Sequence, residues 1–426
     1  MKDFFNIMTK DKGCALLTAF LMTLAVIAMP VAAMAQAPGA ESGGVEASDA
    51  EKEALLPDSS NLAVVSLLIA SPGTEGFYAL GHSALRLKSP VHGLDLCFSY
   101  NTAEEPGPLF NVLLLAGVMR AAYEAVPYHI YMDRYKGEHR GVTEYPLNLT
   151  LHEKQELWRL MDQQKHKGPT MPFDFMFNNC TSTLFRCVST IMEREDFEFP
   201  QVEPLTLSTR ECFASIYRDT PWLEFMGMTF LTAYAHEKLP IDVMICPELW
   251  GRLLPQTDIV GNDGSRRPAL QGEPRQLLVQ QLQVPPLPWT PTRVFAILFV
   301  ITLLLTAVQW WLHWRRLPHA LDACLFTLHA IVSAYLLYAS CTRMFGTFAN
   351  WLLIVFNLLP LVLWLVGRRK PWHRKLWLPY AAVILVMMIF LPLYTGNPEL
   401  PHQFIFATLL TRCLSKHFEG KATGKP

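Results

Sequence analysis

Cys180 and His82 are the two side chains around which chemistry is expected in this sequence. Cys180 follows an Asn178-Asn179 pair in FDFMFNNCTSTLFRC. Such a pair is a helix-capping signal, so Asn179 is expected to cap a helix running towards Met192, with Cys180 in its first turn. Backbone N–H groups and the positive end of the helix dipole lower a thiol pKa there and hold an oxyanion, which suits a nucleophile. His82 stands in Gly81-His82-Ser83, at the start of a strand pattern. Bland readings stay open beside both: free cysteine is among the most buried residue types, and a single histidine is commonly structural. Cys187, on the same helix face two turns on, reads as core, and no cysteine spacing demands a disulfide. No Cys or His pair has a ligand spacing such as C-x-x-C or H-E-x-x-H, so neither metal nor cofactor is expected.

The elements around these residues follow from local pattern. Asn61 to Ala70 is a continuous apolar strand of buried type. From Ser83 the chain alternates, with Leu85 and Leu87 on one face and Ala84, Arg86 and Lys88 on the other. Residues 89–93 make a turn and Leu94 to Tyr100 a second strand, which completes a hairpin. A turn centred on Val91 gives partner numbers summing to about 182 and sets Tyr100 opposite His82, with Ser99 and Asn101 beside it. Tyr100 is then the first choice, and Asn101 the second, as the polar neighbour that orients the imidazole. Thr150 and Glu153 have the spacing of a capping box opening a scaffold helix to Lys165.

The chain's composition says which solvents it meets. Of 426 residues 51% are hydrophobic and 17% charged, against roughly 25% charged for ordinary soluble domains. With 36 Lys+Arg against 37 Asp+Glu, no basic surplus recruits nucleic acid. A mean hydropathy of +0.20 suggests two environments along one polypeptide. Residues 1–35 read as a secretory signal: Lys2, Lys10 and Lys12 precede an apolar run from Cys14 to Val31, and Ala33-Met34-Ala35 matches a cleavage site. An uncleaved anchor is the alternative, and either one exports the segment after residue 35. Residues 36–60 are a small, acidic linker, 61–260 a globular α+β domain, and 261–291 a Pro/Gln-rich connector. Within 292–396, Val294–Leu312, Ala320–Ser340, Phe348–Val366 and Trp377–Tyr394 are each expected to span a ~30 Å hydrocarbon layer as an all-α bundle. Loops holding Arg315 and Arg316, and Arg368, Arg369, Lys370, Arg374 and Lys375, are expected on the cytoplasmic side, which leaves residues 36–291 outside the inner membrane. Residues 397–426 are expected as an interfacial or re-entrant helix and tail.

SLLIASPG, FYALGHSALRLK, DLCFSYNT, HRGV, FDFMFNNCTS and ANWLLIVFNLLP together resemble the Lnb-like family, bacterial inner-membrane lipoprotein N-acyltransferases of the Bacteroidota type. The likeness runs from Asn61 to about Leu414, and its most specific part is GH-x-x-x-R followed by NNC. It implies a domain similar to circularly permuted papain-like (NlpC/P60-type) thiol enzymes, with His82 as base and Cys180 as nucleophile. Ser83, Arg86, Arg140 and Asn179 fall on its motif positions and become substrate-binding candidates, as do Asn350 and Asn357 in the third span. Those two asparagines serve either a polar headgroup path or helix–helix hydrogen bonds. The chemistry implied is acyl transfer from a membrane phospholipid to the α-amine of diacylated lipoproteins through a Cys thioester. The competing readings are a membrane-tethered thiol hydrolase acting on peptidoglycan or peptides, and a non-catalytic lipoprotein-binding protein.

Overall fold

The computed structural model describes residues 64–419 apart from 74–80, 91–92, 103–112, 114–115, 117, 167–169, 174–177, 193–194, 201–207, 209, 212–213, 215–216, 218–219, 231–240, 242–244, 283–287, 314–315, 342–349 and 367–372. The expected signal segment and linker lie outside the described residues.

The exported part is built on β1 (Val64–Ala70), β2 (His82–Ser89), β3 (Leu94–Thr102), β4 (Arg120–Pro127), α1 (Tyr128–Gly137), β5 (Val142–Pro146), α2 (Leu151–His166), β6 (Thr170–Pro172) and α3 (Cys180–Ile191). After these come β7 (Glu195–Glu198), α4 (Pro221–Phe230), α5 (Pro247–Leu253), β8 (Asp258–Gly261), β9 (Arg266–Pro268) and β10 (Arg275–Leu278). Seven strands form one antiparallel sheet in the order β10-β5-β1-β2-β3-β4-β6, and β7, β8 and β9 form a small second sheet. The pleat sends alternate side chains to opposite faces. Val65, Leu67, Leu85, Leu87, Phe98 and Tyr100 pack with Leu157, Leu184, Val188 and Trp250 of α2, α3 and α5. Leu68, Ala70, Ala84 and Cys97 pack on the other face with Tyr131 and Tyr135 of α1. Helices on both faces explain why β1 reads as an unbroken apolar run.

The capping box on α2 is present as expected, with Thr150 N–H donating to the Glu153 carboxylate at 2.6 Å and Glu153 N–H to Thr150 Oγ1 at 3.3 Å. The hairpin register differs by one residue from the expected sum. Ala84 pairs with Ser99 and Leu85 with Phe98, so partner numbers sum to 183. Gly93 N–H donates to Pro90 O across the turn, which moves its centre off Val91 to midway between residues 91 and 92. Continued one step further, this register sets Asn101, not Tyr100, across from His82.

The membrane part contains α6 (Pro291–Trp311), α7 (Arg316–Cys341), a 3-10 turn (Trp351–Ile354), α8 (Leu359–Val366), α9 (His373–Thr395) and α10 (Leu400–Phe418). Among the described residues three helices, Pro291–Trp311, Arg316–Cys341 and Arg374–Thr395, are long and apolar enough to cross a membrane. This corrects the expected four. The third expected span is broken, because Asn350 caps the 3-10 turn through Leu352 N–H and Asn357 Oδ1 accepts from Leu359 N–H to start α8. Freed carbonyls at the break are satisfied within the protein, as apolar surroundings require: Tyr380 donates to Val355 O at 2.6 Å and Asn357 Nδ2 to Ile354 O at 2.9 Å. α10 packs inside the bundle, where Phe404 meets Phe299 of α6, Gln403 donates to Met388 O of α9, and Arg412 is fully buried.

Candidate active site

α3 begins where the sequence places it. Asn179 Oδ1 accepts from Thr181 N–H at 2.9 Å and Ser182 N–H at 2.8 Å, and Ser182 Oγ accepts from Asn179 N–H at 3.0 Å. The cap uses the second and third donors of the helix and leaves the Cys180 N–H beside its own sulfur. Main-chain bonds from Ser83 and Cys180, together with the Thr181 hydroxyl at 3.7 Å, favour the thiolate, but burial outweighs them and raises the Cys180 pKa. Ser83 Oγ, 3.1 Å from Thr181 Oγ1, ties the start of β2 to the first turn of α3.

Gly81 fixes how the chain enters β2. Its φ is +82°, and a Cβ there would lie 2.4 Å from Ala70 O, so only glycine fits. His82 comes next, paired with Ala70, and is 4% exposed. Strand alternation turns its ring to the α1 face, while Ser83 points to α3. Burial first, and then the positive fields of Arg140 and Arg134, lower its pKa to about 3, so the imidazole is neutral at neutral pH. Its Nε2 is buried and has no hydrogen-bond partner among the described residues. Thiol and imidazole thus reach the same end of β2 from its two sides, the thiol bonded to the main chain of the residue next to His82.

Of the other expected site residues, Tyr100 lies on the α3 face, its ring 5.6 Å from Tyr123 and its hydroxyl donating to Cys187, and so it does not orient His82. Burial pushes the Cys187 thiol up to about 11, as its expected place in the core requires. Asn101 lies on the His82 side and donates to Glu124 of β4, which also accepts from Ser99 at 3.3 Å and from both guanidinium ends of Arg134, at 3.1 and 2.7 Å. Sequence reading missed Glu124 and Arg134, because nothing local marks a carboxylate whose partners come from two other elements. Arg86 is a strut: it holds Asp95 at 2.5 Å and Glu144 at 3.0 Å and lies 3.5 Å over the Tyr128 ring. Arg140 donates to Ser71 O at 2.7 Å and Glu138 at 2.9 Å. Asn350 and Asn357 are turn and cap residues, and Asn350 Nδ2 donates to Thr229 O of α4 at 2.8 Å. Among the described residues no three His, Cys, Asp or Glu side chains gather as metal ligands.

Comparison with known proteins agrees with this two-part architecture. Residues 53–210 match the family described as Lnb N-terminal periplasmic domain, and residues 283–422 that described as Lnb transmembrane domain. No curated protein and no solved structure matches the chain.

Proposed function

Since the chain belongs to the Lnb-like family, with both its periplasmic and its transmembrane domain matched, we propose that it is an inner-membrane lipoprotein N-acyltransferase with Cys180 as nucleophile. The observation that carries this reading is the thiol itself, first residue of a capped helix and held against the main chain of Ser83, the residue that follows His82 in β2. The order His before Cys along the chain is that of permuted papain-like enzymes, and this likeness is part of the proposal.

Both partners rest uncharged, so the proton moves during attack and not before it. His82, whose ring lies on the other side of the same end of β2, takes the Cys180 proton through a bridging water as sulfur attacks the ester carbonyl of a phospholipid, and the main-chain N–H groups of Ser83 and Cys180 receive the developing oxyanion. Collapse expels the glycerol oxygen, which regains that proton from His82 and leaves as lysophospholipid, with a thioester on Cys180. The α-amine of a diacylglyceryl-cysteine lipoprotein then attacks the thioester. Its proton passes through His82 to the departing sulfur, and the N-acylated lipoprotein is released. In this scheme Asn101, tied to Glu124 and Arg134, takes the orienting role first expected of Tyr100. Both substrates are lipids, and drawing one into water costs about 0.8 kcal/mol per CH₂, which gives a thiol domain mounted on a membrane bundle its purpose.

The test is mass spectrometry of lipoprotein N-termini from a deletion strain complemented with wild type, Cys180→Ala or Cys180→Ser. Only wild type should restore N-acylation, and hydroxylamine should release fatty acid from its Cys180. Unchanged acylation in the deletion strain would leave the thiol-hydrolase reading standing, and rescue by both variants a non-catalytic role.

A further inference from the structure

Aromatic contacts from α4 seat the exported part on the bundle. Phe225 packs on Phe295 of α6 with ring centroids 5.4 Å apart, and Phe230 on Tyr335 of α7 at 6.1 Å. One turn further along α7 the Tyr338 hydroxyl donates to Ala116 O, four residues before β4 begins. α7 is long and apolar enough to cross a membrane, and at this end its Leu337 is 56% exposed and Tyr338 is exposed beside it. Val118, 57% exposed, carries that apolar surface onto the exported part. A surface that runs from a spanning helix onto the domain above it fits lipid better than water.

From Val118 an apolar route leads to the thiol. Met119, Ala121 and Phe173 form a small buried cluster of their own, with Met171 packed against it. Ala121 is one same-face step along β4 from Tyr123, and Tyr123 pairs with Tyr100 of β3. The β2–β3 register, continued, sets Tyr100 across from Ser83, whose main chain bonds to Cys180. Two strand spacings and five residues of extended chain therefore separate Val118 from Ser83, about 15–20 Å. One leaflet of a ~30 Å hydrocarbon core has a comparable depth, so a phospholipid drawn along this route keeps the end of its chain in the bilayer while its ester nears the thiol. We infer that the phospholipid acyl donor leaves the bilayer here, its chain against Leu337, Tyr338 and Val118 and its ester passing Met119 and Ala121 towards Cys180; this rests on the acyl-transfer reading of Cys180. The acceptor has less need of such a route. Its α-amine is already joined to polypeptide outside the membrane, whereas raising the donor's ester exposes hydrocarbon to water unless apolar side chains accompany it.

The experiment places a photo-crosslinking amino acid at position 118 of the full-length protein in vesicles of radiolabelled phosphatidylethanolamine. Position 151 is the control: Leu151 is also exposed, but it follows the Pro146 end of β5, the end away from Ala70 and His82. Lipid label should join position 118 severalfold more than position 151. In mixed micelles, with hydroxylamine-releasable acyl-Cys180 as the readout, Val118→Asp should raise the phospholipid KM about tenfold, the size of one valine's burial. Val118→Leu should keep that KM near the wild-type value. Equal labelling at 118 and 151, label taken only from a diacylglyceryl-cysteine acceptor, or a wild-type KM in Val118→Asp would overturn the inference. Phospholipid labelling at 118 with no acyl-Cys180 in wild type would support the lipid contact and count against the acyl-transfer reading alone.

Discussion

Cys180 occupies a position where a helix N-terminus and main-chain donors stabilise a thiolate, yet burial raises its pKa above the ordinary thiol value. Alkylation depends on the thiolate fraction. Iodoacetamide should therefore modify Cys180 more slowly than a free cysteine at neutral pH, with a rate still rising at about pH 9. Rates tracked by intact mass that level off below neutral pH would show a resting thiolate–imidazolium pair instead. His82 makes a separate prediction. Its folded pKa of about 3 lies below the unfolded 6.5, so below pH 6.5 the unfolded chain binds the proton that the folded one refuses. Stability contributed by the neutral ring is complete above that value and is lost as pH falls towards 3, with a slope of up to about 1.4 kcal/mol per pH unit. His82→Gln should flatten the acid limb of the thermal midpoint against pH, measured in detergent. Superimposable pH profiles for variant and wild type would mean that the ring does not stay neutral as the protein folds.

Elements show which parts of this arrangement a sequence can carry. Removing the α3 cap by Asn179→Ala should cost about 1 kcal/mol of stability. Activity should fall further than that loss explains, since Cys180 is the first residue the cap positions. Asn179→Asp should keep the stability but slow alkylation of Cys180, because a carboxylate beside the sulfur opposes the thiolate. Equal stability and equal alkylation rates across all three proteins would remove the cap from the argument. Asn179 was legible because capping is chemistry between residues two and three apart, as was the Thr150–Glu153 box, and so were the two faces of β2. The hairpin register was not, since one hydrogen bond from Gly93 to Pro90 decides it and shifts every partner by one. The break in the third apolar run had its signals in view, Asn350, Asn357 and Pro360, but a hydropathy window counts residues and does not see a side chain taking the place of a backbone partner. The Glu124 cluster beside His82 joins β3, β4 and α1, and pairing across elements leaves no local trace.

Across the whole molecule α10 fastens the two halves. At its start Glu399 pairs with Arg210 of the exported part, and His402 Nε2 lies 3.0 Å from Thr229 Oγ1 on α4. Towards its other end Arg412 grips Asp322 of α7 at 2.5 and 2.9 Å and reaches Thr306 and Gln309 of α6 at 2.7 and 3.0 Å. Lys416 meets the same Asp322 at 2.5 Å. In the sequence the stretch from His402 to Leu414 is too short for a span, and nothing local marks it as a bundle helix, because the anion that pairs with Arg412 is 90 residues away. One buried carboxylate thus serves two cations, which ranks the substitutions. Asp322→Asn leaves Arg412 buried without a counter-ion and Lys416 with only Glu419, at 3.2 Å, and should cost about 3–5 kcal/mol, the penalty for breaking a buried pair. Arg412→Gln leaves Asp322 its bond to Lys416, and Lys416→Gln leaves it both bonds to Arg412, so each should cost less than Asp322→Asn. Thermal unfolding of the three full-length variants in detergent tests the order. If Arg412→Gln proves the most damaging, the bonds to Thr306 and Gln309, and not the shared carboxylate, fasten α10 to the bundle.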